Sequence, residues 1–303
     1  MAKENTHLWF AYGLLEHCTG SAMLRDVSDH LGRYMLGAVI LDTFYYSAGD
    51  DLVRISEAFH GRDGNPTNTT ILRVIDAARG PADIAFILGY ITHCALDITF
   101  HPVVYYLSGN YYDDDRTKRT GAVRRHRHLE TCLDRDLGNT LRLHEVIRTS
   151  HLKGLVFEEI VARDFHTSIR AMRQALRRQI AFNLLFTSTA AYNLAKLAVA
   201  TGVLRDPSYL GLFYADVAPR ECTPSSIAVA DLIDGSPSVT SVSELFSRAR
   251  DLALTMQEAA YAYWQGTLDR TGLERVIPGV SLDTGRLGAR VSDIRYTSPD
   301  GEN

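Results

Sequence analysis

The chain has 303 residues, 46% of them hydrophobic, and its 32 basic and 36 acidic side chains give a formal net charge of −4 at pH 7. A chain of this length and hydrophobicity can bury a substantial core, as one large domain or two smaller ones. The charge is low and evenly scattered, which argues against a basic surface that holds duplex nucleic acid by its backbone.

The sequence shows no sign of export or membrane insertion. It does not open with a basic stretch, an uninterrupted apolar segment and a cleavage site, so we expect no secretion signal. The apolar run at residues 84–100 is interrupted by Gly89, His93 and Asp97, whereas a spanning helix needs about 18 apolar residues in a row. We predict no transmembrane segment. The four cysteines form no CxxC pair, which argues against a disulfide framework or a thiolate zinc site and predicts a cytoplasmic protein.

Apolar residues recur three and four positions apart through most of the chain, which predicts a mainly α fold. The predicted helices cover residues 6–17, 22–39, 50–60, 81–101, 123–137, 165–200 with one break, and 241–265. Two segments are predicted to lack helix. They are a polar, exposed loop at residues 109–121 and a long surface excursion at residues 201–240, which holds four of the nine prolines.

Glycine and proline mark several of the predicted helix ends. Gly61 directly follows His60 and suits a left-handed C-terminal cap, which puts His60 in the last turn of its helix. Pro81 suits the first helical position, where its missing amide hydrogen costs nothing. Pro102 disfavours helical geometry at His101, so we predict a break or kink there that redirects the His101 side chain.

The segment His93-Cys-Ala-Leu-Asp97-Ile-Thr-Phe-His101 places two imidazoles and a carboxylate at four-residue steps in an apolar stretch. On a helix these side chains share one stripe, spread over roughly 12 Å of the axis. Burying such a group without a partner costs about 1 to 3 kcal/mol. The three could bond to one another and to backbone carbonyls, but a bound metal ion explains the pattern more simply.

A second pair with the same spacing follows at His126 and Glu130, whereas His128 points to another face of that helix. Alone, such a pair is better explained as an ion pair on a solvated helix face. Beside the first stripe it indicates two further metal ligands. His7 and His60 taken singly are ordinary histidines, and Asp42 taken alone could merely cap the helix that follows it.

Together these residues match a known pattern, because the chain resembles the zinc-dependent phospholipase C family, whose fold is shared with the trinuclear-zinc P1-type nucleases. The likeness covers residues 5–135 and rests on the order of its motifs. These are His7, the Gly-x-x-x-x-Asp segment ending at Asp42, His60, the HxxxDxxxHP signature from His93 to Pro102, and the pair His126 and Glu130. The resemblance implies a single helical domain over residues 1–303, with a metal-binding core at 5–135 between helices of the N-terminal half and a helical extension at 136–303.

The resemblance also implies which residues bind which metal. It implies one zinc ion held by Asp42, His60, His93 and Asp97, and another held by His101, His126 and Glu130. Asp97 would bridge to a third ion bound by His7, a site that the amino terminus of the processed chain completes in secreted family members. We expect no counterpart of that terminus here. Leu41 departs from the proline that the family commonly has before the aspartate.

Nitrogen and oxygen ligands without thiolates suit zinc, in two or three ions, and would also accept manganese or iron. Divalent ions close together lower the pKa of a shared water and give hydroxide for in-line attack on phosphorus, so phosphodiester hydrolysis is expected. The resemblance implies that Asp42 is a general base that orients this water.

The substrate is less well defined by the sequence. Five aromatic residues lie beside the predicted ligands and could form an aromatic wall for a choline-like head group, although core packing is the more common use of such residues. They are Phe44, Tyr45, Phe59, Tyr105 and Tyr106. The basic run at residues 116–127 could attract a phosphate, although a charge-rich loop is usually a solvated one.

Three hypotheses follow. The first is a phospholipase C-like phosphodiesterase that releases a phosphorylated head group from a lipid or lipid-like small molecule. The second is an intracellular metal-dependent hydrolase, nuclease-like, acting on a nucleotide or a non-phosphate compound. The third is a non-catalytic helical protein with structural metals, in which residues 201–240 bind a partner. The sequence does not define the oligomeric state.

Overall fold

The computed structural model describes residues 3–17, 21–47, 49–111, 113–138, 140–217 and 226–298. The mainly α fold is confirmed. The helices are α1 (Glu4–Leu14), α2 (Ser21–Asp29), α3 (Leu31–Gly37), α4 (Asp50–His60), α5 (Asn68–Asp76), α6 (Pro81–Ser108), α7 (Arg116–Asp136), α8 (Leu143–Val146), α9 (Val156–Asp164), α10 (Ile169–Phe186), α11 (Thr189–Ala200), α12 (Val242–Trp264) and α13 (Arg270–Val276). Two strands, β1 (Ile227–Ala230) and β2 (Pro237–Thr240), form an antiparallel pair.

Helix α6 is the centre of the fold, and it packs against α1, α2, α3, α5, α7 and α12. Its backbone approaches that of α3 closely because glycines stand at the crossing: a Cβ atom at Gly89 would overlap the carbonyl oxygen of Tyr34. Among the described residues, α6 is the one helix long and apolar enough to cross a membrane by length and composition. In the most apolar 18-residue stretch of α6, 89% of the residues are buried inside the protein, as in the core helix of many folded proteins.

Of the break or kink predicted at His101, the break is wrong, because α6 continues through Pro102 to Ser108. The kink stays a prediction. Buried side chains on both sides of the proline hold the helix in place, and the Phe100 ring packs 4.7 Å from the ring of Phe246. The proline has no amide hydrogen to donate to the carbonyl of Ile98. That carbonyl instead faces Gly285, where a Cβ atom would lie 3.2 Å from it.

Capping side chains explain where other helices differ from the prediction. Helix α7 begins at Arg116, inside the predicted loop, because the Asp115 carboxylate accepts hydrogen bonds from the amides of Thr117 and Lys118. The predicted helix at 22–39 is two helices, α2 and α3. The break predicted within 165–200 lies between α10 and α11, where the Ser188 side chain caps α11.

The segment at 201–240 is less of a surface excursion than predicted. Leu210, Phe213 and Val217 are buried, and the end of the segment forms the β1–β2 pair. Residues 218–225 lie outside the described residues. The largest hydrophobic cluster contains side chains from Leu8 to Leu282, so both halves of the chain share one core. The division at residue 135 remains a prediction.

Candidate metal centre

The eight predicted ligands lie close together in the structure. They come from α1 (His7), a 3-10 segment at Ile40–Tyr46 (Asp42), the end of α4 (His60), one stripe of α6 (His93, Asp97 and His101) and α7 (His126 and Glu130). All eight are buried, the most exposed being Glu130 at 6%. Their ligand atoms form three groups, each within 4.8 Å: His7, His93 and Asp97; Asp42, His60 and His93; and His101, His126 and Glu130.

The carboxylate of Asp97 lies between these groups. Its Oδ2 atom is 2.9 Å from Nε2 of His93 and 3.3 Å from Nε2 of His60. Its Oδ1 atom is 3.4 Å from Nε2 of His7 and 3.5 Å from Nε2 of His101. One buried carboxylate therefore faces four imidazole nitrogens from three helices.

These short distances are not hydrogen bonds of acceptable geometry. Both oxygens of Asp97 are buried without a hydrogen-bond partner, and so are the Nε2 atoms of His7, His60, His93 and His101. Leaving so many buried polar atoms unsatisfied would cost about 1 to 3 kcal/mol each. The donor set of imidazole nitrogens and carboxylate oxygens, pointing at one another without bonding, fits bound divalent cations.

The other ring nitrogen of the central histidines explains their orientation. Nδ1 of His60 lies 2.7 Å from the carbonyl oxygen of Ser56, and Nδ1 of His93 lies 2.9 Å from that of Ala38. A backbone acceptor at Nδ1 fixes the tautomer that leaves Nε2 free to bind a metal. Gly61 has a φ of +76°, which confirms the predicted left-handed cap behind His60.

His7 is positioned by a polar network that the sequence analysis missed. The Thr6 hydroxyl donates to Oδ1 of Asp134 at 3.1 Å, and the Asn5 amide donates to Oδ2 of Asp134 at 3.3 Å. These bonds tie the start of α1 to α7, and the His7 ring stacks on that of His93 at 3.9 Å. Asp134 follows Glu130 by four residues, so the helical spacing that indicated the ligands could also have indicated this anchor.

On α7, Nε2 of His126 lies 3.0 Å from Oε1 of Glu130. The His126 ring is packed edge-on by Tyr105 and Tyr111, with ring centroids at 4.8 and 5.2 Å. His128 points away from this group, and its Nδ1 atom lies 3.4 Å from Asp216.

We call His7, Asp42, His60, His93 and Asp97 the Asp97 cluster. Burial opposes protonation of His60, but the carboxylates of Asp42 and Asp97 outweigh burial and raise the pKa of His60 well above its usual value. The pKa of His93 is raised for the same reason. Burial acts to raise the pKa of Asp97, but its histidine neighbours hold it well below its usual value. His7 is the exception, since burial and the neighbouring His93 lower its pKa to about 4.

We call His101, His126 and Glu130 the Glu130 cluster, where burial has the larger effect. It lowers the pKa of His101 and lowers that of His126 well below the usual value. It raises the pKa of Glu130 well above the usual value. The pKa shifts in the Glu130 cluster thus favour the neutral form of each group. The shifts in the Asp97 cluster favour ionised carboxylates beside protonated His60 and His93, with His7 neutral.

The predicted aromatic wall is corrected by the structure. Phe44 and Phe59 are 0% and 2% exposed, and their rings pack 5.9 Å apart in the hydrophobic core. A substrate cannot touch either ring. Tyr45 is half-buried, and its ring centroid lies 5.7 Å from that of His60, so of these three it alone lies beside the candidate site.

Asp283, which no sequence pattern indicated, lies far along the chain in the C-terminal segment. Its Oδ1 atom is 3.2 Å from Nδ1 of His101. No helical spacing links an aspartate in a turn to a histidine on α6, so the sequence carries no signal for this contact.

Comparison with known proteins agrees with this geometry. A family model described as zinc dependent phospholipase C matches residues 6–181, which is more than half of the chain and includes all eight predicted ligands. No curated protein and no solved structure matches the chain. The matched length and the buried nitrogen and oxygen donors together show that this chain, a zinc phospholipase C-like hydrolase, belongs to the zinc-dependent phospholipase C family.

Proposed function

We propose that the protein hydrolyses a phosphodiester and releases a phosphorylated head group from a lipid or lipid-like molecule. One observation carries this proposal. Asp97 lies within 3.5 Å of histidines from all three groups of candidate ligands, so the metal sites share a carboxylate. Sites joined in this way would bring divalent cations close together, an arrangement that stabilises the attacking and leaving oxygens of an in-line displacement at phosphorus.

The proposed zinc sites use the residues that the structure brings together. Asp42, His60, His93 and Asp97 would hold one ion, and His101, His126 and Glu130 another. His7 and Asp97 would hold a third. When bound, zinc supplies charge that stabilises the phosphoryl oxygens and lowers the pKa of water. The absence of thiolates from these sets favours zinc while leaving manganese or iron compatible.

The proposed catalytic residue is Asp42. Its Oδ1 atom lies 3.9 Å from Nε2 of His93 and 3.4 Å from Nε2 of His60. These two histidines lower the pKa of Asp42 despite its burial. A carboxylate with a lowered pKa stays ionised but is a weak base. We assign Asp42 to orient the attacking water and to accept its proton as the new oxygen–phosphorus bond forms. The bond to the leaving oxygen breaks, and the proton passes to that oxygen to give the free alcohol.

An exposed apolar surface favours a lipid substrate over a nucleotide. Leu184 and Leu185 in α10 and Leu194 and Leu197 in α11 are 43–67% exposed. Residues 181–205 contain no acidic side chain. This exposed surface adjoins the segment that carries Asp42, because the ring of Phe182 in α10 lies 5.9 Å from that of Tyr46. Exposed apolar surface of this kind marks contacts with membranes or other apolar partners.

Metal content and activity should be measured on the same samples. We expect wild-type protein, purified without chelators, to contain zinc and to hydrolyse bis-p-nitrophenyl phosphate and phosphatidylcholine in preference to single-stranded nucleic acid. Asp97→Ala should lose most of its metal and at least about a thousandfold in kcat/KM, since metal ions supply several kcal/mol of transition-state stabilisation. Asp51→Ala, at an exposed position of α4, is the matched control. A fully metal-loaded wild type that cleaves none of these diesters would contradict the proposal.

A further inference from the structure

A turn in the C-terminal segment, outside the matched residues 6–181, closes one side of the metal centre. The Ser281 amide donates to the carbonyl of Arg286 at 3.0 Å, and the Gly285 amide donates to the carbonyl of Ser281 at 2.9 Å. Gly285 has a φ of +69°, a left-handed conformation that favours glycine. These bonds give residues 281–286 a defined shape.

Two contacts fix this turn against elements that carry candidate ligands. The Leu282 amide donates to the backbone carbonyl of His60 at 3.0 Å. Gly285 packs on α6, where a Cβ atom at this position would lie 3.5 Å from Pro102. The turn is therefore held in register with α4 and with α6 at once.

The side chain of Asp283 points from this turn to His101. Oδ1 of Asp283 lies 3.2 Å from Nδ1 of His101, a distance within hydrogen-bonding range, although the angle at this nitrogen is not that of a hydrogen bond. The two residues are 5% and 1% exposed. Nε2 of the same ring faces Asp97 at 3.5 Å. Asp283 thus lies beside Nδ1 of His101 as the carbonyls of Ser56 and Ala38 lie beside Nδ1 of His60 and His93. Unlike a carbonyl, its carboxylate carries a negative charge.

We propose that Asp283 is a positioning residue for His101, an inference that rests on the metal centre of the proposed function. When a metal ion occupies Nε2, its carboxylate would accept the Nδ1 proton, an interaction that fixes the tautomer whose Nε2 binds metal and makes that nitrogen more basic. The two ring nitrogens point away from each other, so a carboxylate at Nδ1 does not share the cation at Nε2.

The test measures zinc affinity by competition with a chromophoric chelator, without substrate. In Asp283→Ala we expect one zinc equivalent to bind about 10- to 100-fold more weakly, the usual effect of removing such a carboxylate, while the remaining equivalents keep their affinity. Asp283→Asn should fall between the alanine variant and wild type, because an amide oxygen still accepts a hydrogen bond. The control is Asp293→Asn, in the same segment, where the carboxylate accepts from the Arg290 amide and contacts no candidate ligand.

A structural role alone would lower the affinity of every site together, and that result would overturn the proposal, as would unchanged affinity in Asp283→Ala. The asparagine variant keeps the test informative if the alanine variant does not fold. Because no substrate is present, a selective loss of one zinc would support this role even if the protein cleaved no phosphodiester. If wild type binds zinc and neither Asp283→Ala nor Asp283→Asn changes the affinity, the positioning role of Asp283 is wrong but the proposed function is not affected.

Discussion

The two clusters of the metal centre use similar ligands in different electrostatic settings. In the Asp97 cluster, the neighbouring imidazoles hold the pKa values of Asp42 and Asp97 low, and the two carboxylates raise those of His60 and His93. In the Glu130 cluster, burial lowers the pKa of each histidine and raises that of the carboxylic acid. The Asp97 cluster contains ionised carboxylates that can bind a cation once the imidazole protons are displaced. The Glu130 cluster instead depends on neighbouring negative charge, above all on that of Asp97.

This difference predicts an asymmetry between two single substitutions, the largest effect that we expect. His60→Ala should remove metal from the Asp97 cluster and weaken the Glu130 cluster too, because Asp97 loses a partner that holds it in place. His126→Ala should remove about one zinc equivalent and leave the Asp97 cluster filled. Both should lower kcat by at least about a hundredfold. Zinc analysis after dialysis tests this, and equal metal loss in the two variants would show that the clusters act as one unit.

Asp42 offers a way to separate metal binding from catalysis within the Asp97 cluster. Asp42→Asn keeps the size of the side chain and one oxygen, but it can no longer take a proton. We expect a loss of about 10² to 10³ in kcat, with zinc content reduced by less than one equivalent. Steady-state kinetics on bis-p-nitrophenyl phosphate provide the measurement. Complete metal loss in this variant would mean that Asp42 acts only as a ligand.

The raised pKa values of His60 and His93 predict how zinc binding depends on pH. In the metal-free protein these imidazoles keep their protons to a higher pH than usual, so zinc must displace them, and its affinity should fall as the pH is lowered. Calorimetric titrations in two buffers with different ionisation enthalpies count the protons released. His60→Ala should release fewer protons than wild type. An enthalpy that does not depend on the buffer would contradict the charge distribution described for the Asp97 cluster.

The smallest effect concerns the aromatic side chains that the structure places in the core. Phe59→Leu should destabilise the protein by about 1 to 2 kcal/mol through looser packing, with little change in substrate preference. Tyr45→Leu, beside His60, should instead raise KM for a choline-bearing lipid. Thermal unfolding and kinetics on the two variants are the measurements. A change of head-group preference in Phe59→Leu would show that the Phe59 ring contacts the substrate, contrary to this prediction.

What the sequence predicted well depended on local periodicity. The four-residue spacing of His93, Asp97 and His101 is a property of one helix, so their shared face followed from the sequence alone. Pro102 misled the prediction because tertiary packing of α6 outweighs the local cost of one missing hydrogen bond. The contact between Asp283 and His101 joins distant segments through a turn, and no local pattern could have indicated it.

The same limit applies to the aromatic residues beside the ligands. Phe44 and Phe59 neighbour Asp42 and His60 in sequence, but adjacent residues on a helical segment point to different faces. Their rings therefore enter the core while the ligands face the centre. Their positions in the sequence predicted correctly that these rings lie near the ligands, but predicted wrongly the direction in which the rings point. That direction follows only from the folded structure.

The central claim is that these side chains converge on divalent cations, and a crystal structure of zinc-loaded protein with anomalous scattering measured at the zinc edge tests it most directly. We predict two or three zinc peaks among the eight side chains, one about 2.0 to 2.1 Å from Nε2 of His60 and His93, and another at the same distance from a nitrogen of His126. A loaded protein with no zinc peak among these atoms, or with zinc bound only elsewhere on the chain, would contradict the account.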